Sequence, residues 1–174
     1  MKAWFMAATA ALALTAFSTD SADAGRLRGA RQNAAGGVTA GAVHNTQGPN
    51  GGRSVGGRGV VTDGQGNGAA GSANCASGAA GRACRAGATT RSADGTVTHR
   101  SGAAVEGANG GSASTEGGFT RNADGTYAGG RTTSATGVEG NSYNADTTYD
   151  SETGVTRSVS CTDASGAAIS CPTR

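Results

Sequence analysis

Four cysteines, two histidines, ten carboxylates and an excess of arginine are the groups with chemical reach in this 174-residue sequence once positions 1–24 are set aside. Cys75, Cys84, Cys161 and Cys171 allow three disulfide pairings. Closeness in sequence favours Cys75–Cys84 and Cys161–Cys171, each closing a loop of about ten residues, worth roughly 2.5–3 kcal/mol on a chain-entropy view. A metal centre is the rival use of thiolates. It lacks the short Cys-x-x-Cys spacing, and only His44 and His99 are present to complete a ligand set. Serine chemistry needs a positioned base, and neither histidine sits beside a Gly-x-Ser-x-Gly motif; both read as solvated surface residues. Glycoside cleavage needs two carboxylates held in a cleft, whereas Glu106, Glu116, Glu139 and Glu152 stand in Gly-rich or turn contexts. Gly-Pro-Asn-Gly-Gly at 48–52 is followed by no Lys-Ser/Thr pair, so it is not a phosphate loop. No catalytic residue, cofactor or metal is predicted.

Arginine remains. Residues 25–89 hold Arg26, Arg28, Arg31, Arg53, Arg58, Arg82 and Arg85 against the single acid Asp63, whereas residues 90–174 hold six arginines against nine acids. A basic, lysine-free stretch of this kind attracts polyanions by charge. These seven arginines are therefore the predicted contacts for an anionic envelope polymer such as lipopolysaccharide, acidic polysaccharide or extracellular DNA.

The scaffold must be built with little core. Well over half of the chain after position 24 is Gly, Ala, Thr or Ser. Val, Leu, Ile and Phe are too few there for a thick hydrophobic interior. No helix-period stripe appears. The strongest signal is a repeat: Thr90-Arg-Ser-Ala-Asp-Gly-Thr96 returns as Thr120-Arg-Asn-Ala-Asp-Gly-Thr126. Glycines after turn-forming residues recur at 64, 95, 125 and 154. Two looser echoes are Val105-Glu-Gly107 with Val138-Glu-Gly140, and Ala76–Ala80 with Ala164–Ala168.

Asn/Ser-Ala-Asp-Gly is a hairpin turn. Asn or Ser opens a type I turn, and Gly takes the left-handed conformation that follows, making a bulge matched to strand twist. The predicted register sets Arg91 opposite Val97 and Arg121 opposite Tyr127. The expected fold is mainly β with extensive coil. Hairpins at 88–100 and 117–131 belong to a repeat region at 88–174, whose period of about 30 residues is a length common among repeat architectures. Residues 25–87 form a Gly/Arg-rich, largely irregular region with one stapled loop at Cys75–Cys84. In the last hairpin, a turn on Asp163–Gly166 sets Cys161 opposite Ile169 and leaves Cys171 diagonal. The disulfide is kept, and the turn is expected to relax toward Gly166.

Residues 1–24 read as a cleaved secretory signal: Lys2, the uncharged stretch at 3–17 as a helix, and a polar tail ending Ala22-Asp-Ala24. That uncharged stretch is too short to span a bilayer comfortably, so no stable membrane insertion is expected after cleavage. Export agrees with the disulfides and places the chain in the periplasm, at the cell surface or outside. Val61-Thr-Asp-Gly-Gln-Gly-Asn67, the Asp-Gly-Thr repeats, Thr136–Tyr143 and the terminal Cys161…Cys171-Pro172 resemble a group of small uncharacterised exported Gly-rich repeat proteins of Gram-negative bacteria. That resemblance implies export and carries no activity. The function expected is a non-enzymatic structural or surface protein of the envelope or extracellular matrix, self-associating through strand edges; the alternative is an arginine-mediated binder of anionic envelope polymers.

Overall fold

The computed structural model describes residues 25–171. The signal segment at 1–24, with the helix expected at 3–17, lies outside them.

Where the sequence predicts a turn, the backbone makes one. Asn122 N donates to Thr126 O at 2.8 Å and Gly125 N to Asn122 O at 3.0 Å, the pair of bonds that defines a type I turn closed by a glycine bulge. The same two bonds close the turns at 33–37, 48–52, 92–96, 107–111, 137–141 and 163–167. Between the turns run ten strands: β1 (Gly25–Gln32), β2 (Val38–Gln47), β3 (Arg53–Thr62), β4 (Gly68–Gly78), β5 (Gly81–Arg91), β6 (Val97–Gly107), β7 (Ser112–Arg121), β8 (Tyr127–Thr136), β9 (Ser142–Asp150) and β10 (Gly154–Thr162). Each pairs antiparallel with its chain neighbours in the spatial order β1 to β10, a single open meander. The predicted pairs Arg91↔Val97 and Arg121↔Tyr127 are present.

Residues 25–87, expected to be largely irregular, instead supply strands β1 to β4 and most of β5. They contain few β-branched residues, and side-chain preference therefore says little there. Turn spacing decides. Of the left-handed glycines, Gly36, Gly51, Gly66, Gly81, Gly95, Gly110, Gly125, Gly140 and Gly154 follow one another at nearly equal intervals, with Gly166 a little sooner at the end. Gly64, expected from the sequence to mark the third turn, is left-handed as well but stands two residues ahead of that phase, which Gly66 keeps. Each interval holds one strand and one turn, so one unit of the sequence repeat is a pair of strands. Of the two looser echoes, Ala76–Ala80 and Ala164–Ala168 both fall at hairpin ends on the same rim of the sheet. The other has no structural counterpart: Val105–Gly107 ends β6, while Val138–Gly140 forms a turn.

Both predicted disulfides are formed. Cys75 and Cys84 are directly opposed across β4 and β5, with Cα atoms 4.1 Å apart, so the expected stapled loop is a regular hairpin. Cys161 joins Cys171 at a Cα separation of 5.3 Å. Here the turn does not relax. Asp163–Ala167 keeps the bulged geometry, and Ile169 N donates to Cys161 O at 3.0 Å. The bridge is reached by the chain leaving the ladder after the Thr162↔Ala168 contact, which gives Cys171 the freedom that a strand position would deny.

Among the described residues each strand touches only the strands next to it in chain order, so the sheet is one layer with both faces open. Ala145 and Cys161 are the buried apolar side chains among the described residues. Cohesion rests on the backbone ladder, cross-strand pairs and the turns. The rim turns are cross-tied: Asn67 Oδ1 accepts Ala93 N at 2.7 Å, Asn33 Nδ2 donates to Thr62 O at 2.7 Å, and Ser151 N donates to Tyr127 O at 2.9 Å.

Three turn carboxylates are held below the ordinary range by bonds they accept. Asp63 is lowered first by the Asn67 side chain, Asp124 by the Thr126 hydroxyl and Asp163 by the Ser165 hydroxyl. A carboxylate lowered on folding stabilises the fold above its unfolded value of about 3.9 and loses that contribution as pH falls through the folded value. Thermal unfolding followed by circular dichroism should therefore be flat from about pH 7 to 5 and decline below about pH 4. The decline should be shallower in Asp163→Asn; an unchanged profile in that variant would contradict the assignment.

Candidate ligand-binding face

Alternation along a strand sends successive side chains to opposite sides, and unbroken registers link all ten strands into cross-sheet rows. One row runs Arg26, His44, Gly56, Asn74, Arg85, Ala103, Thr115, Thr133, Ala145, Val159. Every second row shares its face.

On that face stand eight strand arginines: Arg26, Arg28, Arg58, Arg85, Arg91, Arg121, Arg131 and Arg157. No strand carboxylate among the described residues accompanies them. The other face carries Arg31, Arg53, Arg82 and Arg100 together with Glu106, Glu116, Asp146 and Asp150. Of the seven arginines predicted from sequence, the structure brings together Arg26, Arg28, Arg58 and Arg85 and sends Arg31, Arg53 and Arg82 to the opposite side. Arg82 is committed there to Glu106, Nε to Oε2 at 2.8 Å, an exposed pair of small energetic value. Charge summed by half-chain does not single out Arg91, Arg121, Arg131 and Arg157. Period-two alternation phased by the turn glycines is the signal that finds them.

The arginine face also holds both histidines, the three tyrosines and Phe119. Neither histidine is the freely solvated residue expected. Each is half-buried and hydrogen-bonded. His44 Nε2 lies 3.1 Å from Asn74 Nδ2 across Gly56 of the intervening strand, where a Cβ would sit 2.6 Å from the imidazole. His99 Nδ1 lies 2.8 Å from Thr89 Oγ1, and its ring meets Phe119 at 5.6 Å. An imidazole beside a hydroxyl is half of a nucleophile–base arrangement. The carboxylate that would orient the base is missing from the strands of this face. Tyr149 lies over Gly129 and donates to Gly118 O at 3.1 Å. Arg131 donates to Thr115 Oγ1 and Ser101 Oγ, both at 3.1 Å, and Arg157 donates to the Tyr143 hydroxyl at 2.9 Å.

Two open grooves mark the sheet. One of about 540 Å³ lies on the arginine face, crossing β1 to β6 between Arg28, Arg58, Val60, Ser72 and His99. The other, about 830 Å³, lies on the mixed-charge face over β5 to β9 and includes Arg100, Glu116, Thr132 and Asp146. Glu116 and Asp146 flank Thr132, whose hydroxyl donates to Asp146 at 2.7 Å. Acid–base pairs work when their environments differ; both of these carboxylates are exposed on the same open surface. Among the described residues no three His, Cys, Asp or Glu side chains gather as metal ligands. No helix among them is long and apolar enough to cross a membrane.

The chain matches no known protein-family model, no curated protein and no solved structure.

Proposed function

We propose that this is an exported, non-enzymatic structural protein of the bacterial envelope or extracellular matrix, assembling by edge-to-edge addition of its sheet. The observation that carries the reading is the open meander. Among the described residues β1 has one strand neighbour, and β10 is covered on its outer side only where residues 167–171 fold back. Unpaired edges template strand addition. With ten strands alternating in direction, β10 of one copy meets β1 of an equally oriented copy antiparallel, so the meander continues and the contact is of the non-closing, filament-forming type. The two disulfides suit an oxidising compartment. Both faces bear arginines and neither offers the apolar band that lipid requires, which supports a protein working in water.

The same edges carry a brake. Arg26, Arg28 and Arg31 lie on β1 and Arg157 on β10, so the meeting strands repel until charge is screened. Sedimentation of the oxidised protein across a concentration series is therefore expected to show monomer at low ionic strength and growing multimers as salt rises, with filaments or sheets by electron microscopy. A monomer throughout overturns the proposal.

A further inference from the structure

We infer that the arginine face is a binding surface for a linear acidic polysaccharide, whose chain lies across the strands along the groove over β1 to β6. Three observations carry this. The face concentrates eight exposed guanidinium groups with no strand carboxylate to neutralise them, while the opposite face balances four arginines with four acids. The groove crosses five strand spacings, about 24 Å, open along its length as a polymer requires, and Arg26, Arg28, Arg58 and Arg85 lie in or beside it. Ser72 and Thr89 line the groove between them and Asn74 adjoins it; the Ser72 hydroxyl, and the oxygen lone pairs that Thr89 and Asn74 keep beside their bonds to His99 and His44, suit sugar hydroxyls. The planar guanidinium fork matches a carboxylate in two parallel hydrogen bonds.

The sparse charge of the row disfavours a nucleic-acid strand. Arg28 and Arg58 share a row two strands apart, about 9.6 Å, against about 3.4 Å between charges along one nucleic-acid strand. Base stacking needs free aromatic platforms. None lines the groove: the exposed rings of this face, Phe119 and Tyr127, stand on β7 and β8 beyond it, Tyr149 is laid on Gly129, and Tyr143 accepts from Arg157 on β9 and β10. The inference is independent of edge pairing and is tested on monomer at low protein concentration.

The experiment is titration calorimetry of the oxidised protein with polygalacturonate, beside neutral dextran and single-stranded DNA of matched length. Arg28→Ser/Arg58→Ser is compared with Arg53→Ser/Arg100→Ser, which removes the same charge from the other face. Binding of polygalacturonate alone is expected, weakened about tenfold (~1.4 kcal/mol) by the first double variant and less than about twofold by the second, whose groups face away. Equal losses in both variants would reduce the effect to net charge and overturn the site. So would tighter binding of DNA, or no binding of polygalacturonate. Native circular dichroism of both variants guards against loss through misfolding.

Discussion

Gly81→Ala is expected to destabilise the sheet by about 3 kcal/mol or more, against about 1–2 kcal/mol for Gly125→Ala. Both glycines have positive φ, 128° and 91°. They differ in what a methyl group would meet. At Gly125 nothing lies within 4 Å, so the cost is the left-handed backbone alone. At Gly81 the new carbon would overlap the Glu106 carbonyl oxygen and fall 2.9 Å from Gly107 Cα, both backbone atoms of the adjacent strand. Neither can move without breaking the β5–β6 ladder at its start, where Gly81 pairs with Gly107. The sheet is a chain of nearest-neighbour contacts, so loss of one interface weakens coupling between everything on either side. Urea unfolding of the two variants measures this. Equal midpoints would mean that the two strands are not closely apposed at Gly81.

The two disulfides are expected to separate into a stability staple and an edge guard. A loop of about ten residues predicts about 2.7 kcal/mol for either on entropy alone. Position then distinguishes them. Cys75–Cys84 ties directly opposed residues in the middle of the sheet, so Cys75→Ser/Cys84→Ser should show most of that loss as a lower melting temperature, with sedimentation unchanged. Cys161–Cys171 instead holds the terminal segment against the outer side of β10 through the Ile169–Cys161 backbone bond. Cys161→Ser/Cys171→Ser should lower the melting temperature less, since the nine strand pairings remain, and should increase self-association by uncovering β10. Identical behaviour of the two double variants would remove the distinction between them.

Much of this fold was legible in the chain because its determinants are short-range. A type I turn with a glycine bulge is specified locally, and the turn sets the register of the strands that leave it. Arg121 opposite Tyr127 follows from Asn122-Ala-Asp-Gly125 and needs no knowledge of the rest. The N-terminal strands escaped notice for a related reason. In a stretch with so many glycines the turn glycines do not stand out by type. Gly36 and Gly51 become visible only when phased with the evenly spaced, better-marked Gly95 and Gly125. The terminal hairpin shows the opposite error. The ladder and the disulfide conflict only for a Cys171 held in a strand, whereas here the chain leaves the sheet and approaches Cys161 obliquely.

The candidate binding face was not legible in the same way. Composition indicated basic character but assigned it to a segment, and three of the seven arginines so chosen point the other way. By itself the sequence determined the hairpins at 88–100 and 117–131, their registers and both cysteine pairs, since each is decided between residues close in the chain. Only the tertiary structure decided that Arg28 and Arg157 share a face and that Arg53 does not. A side chain's face is fixed relative to its neighbour by one turn, but across ten strands it depends on every register between them. One slipped residue anywhere would turn all later side chains to the other side.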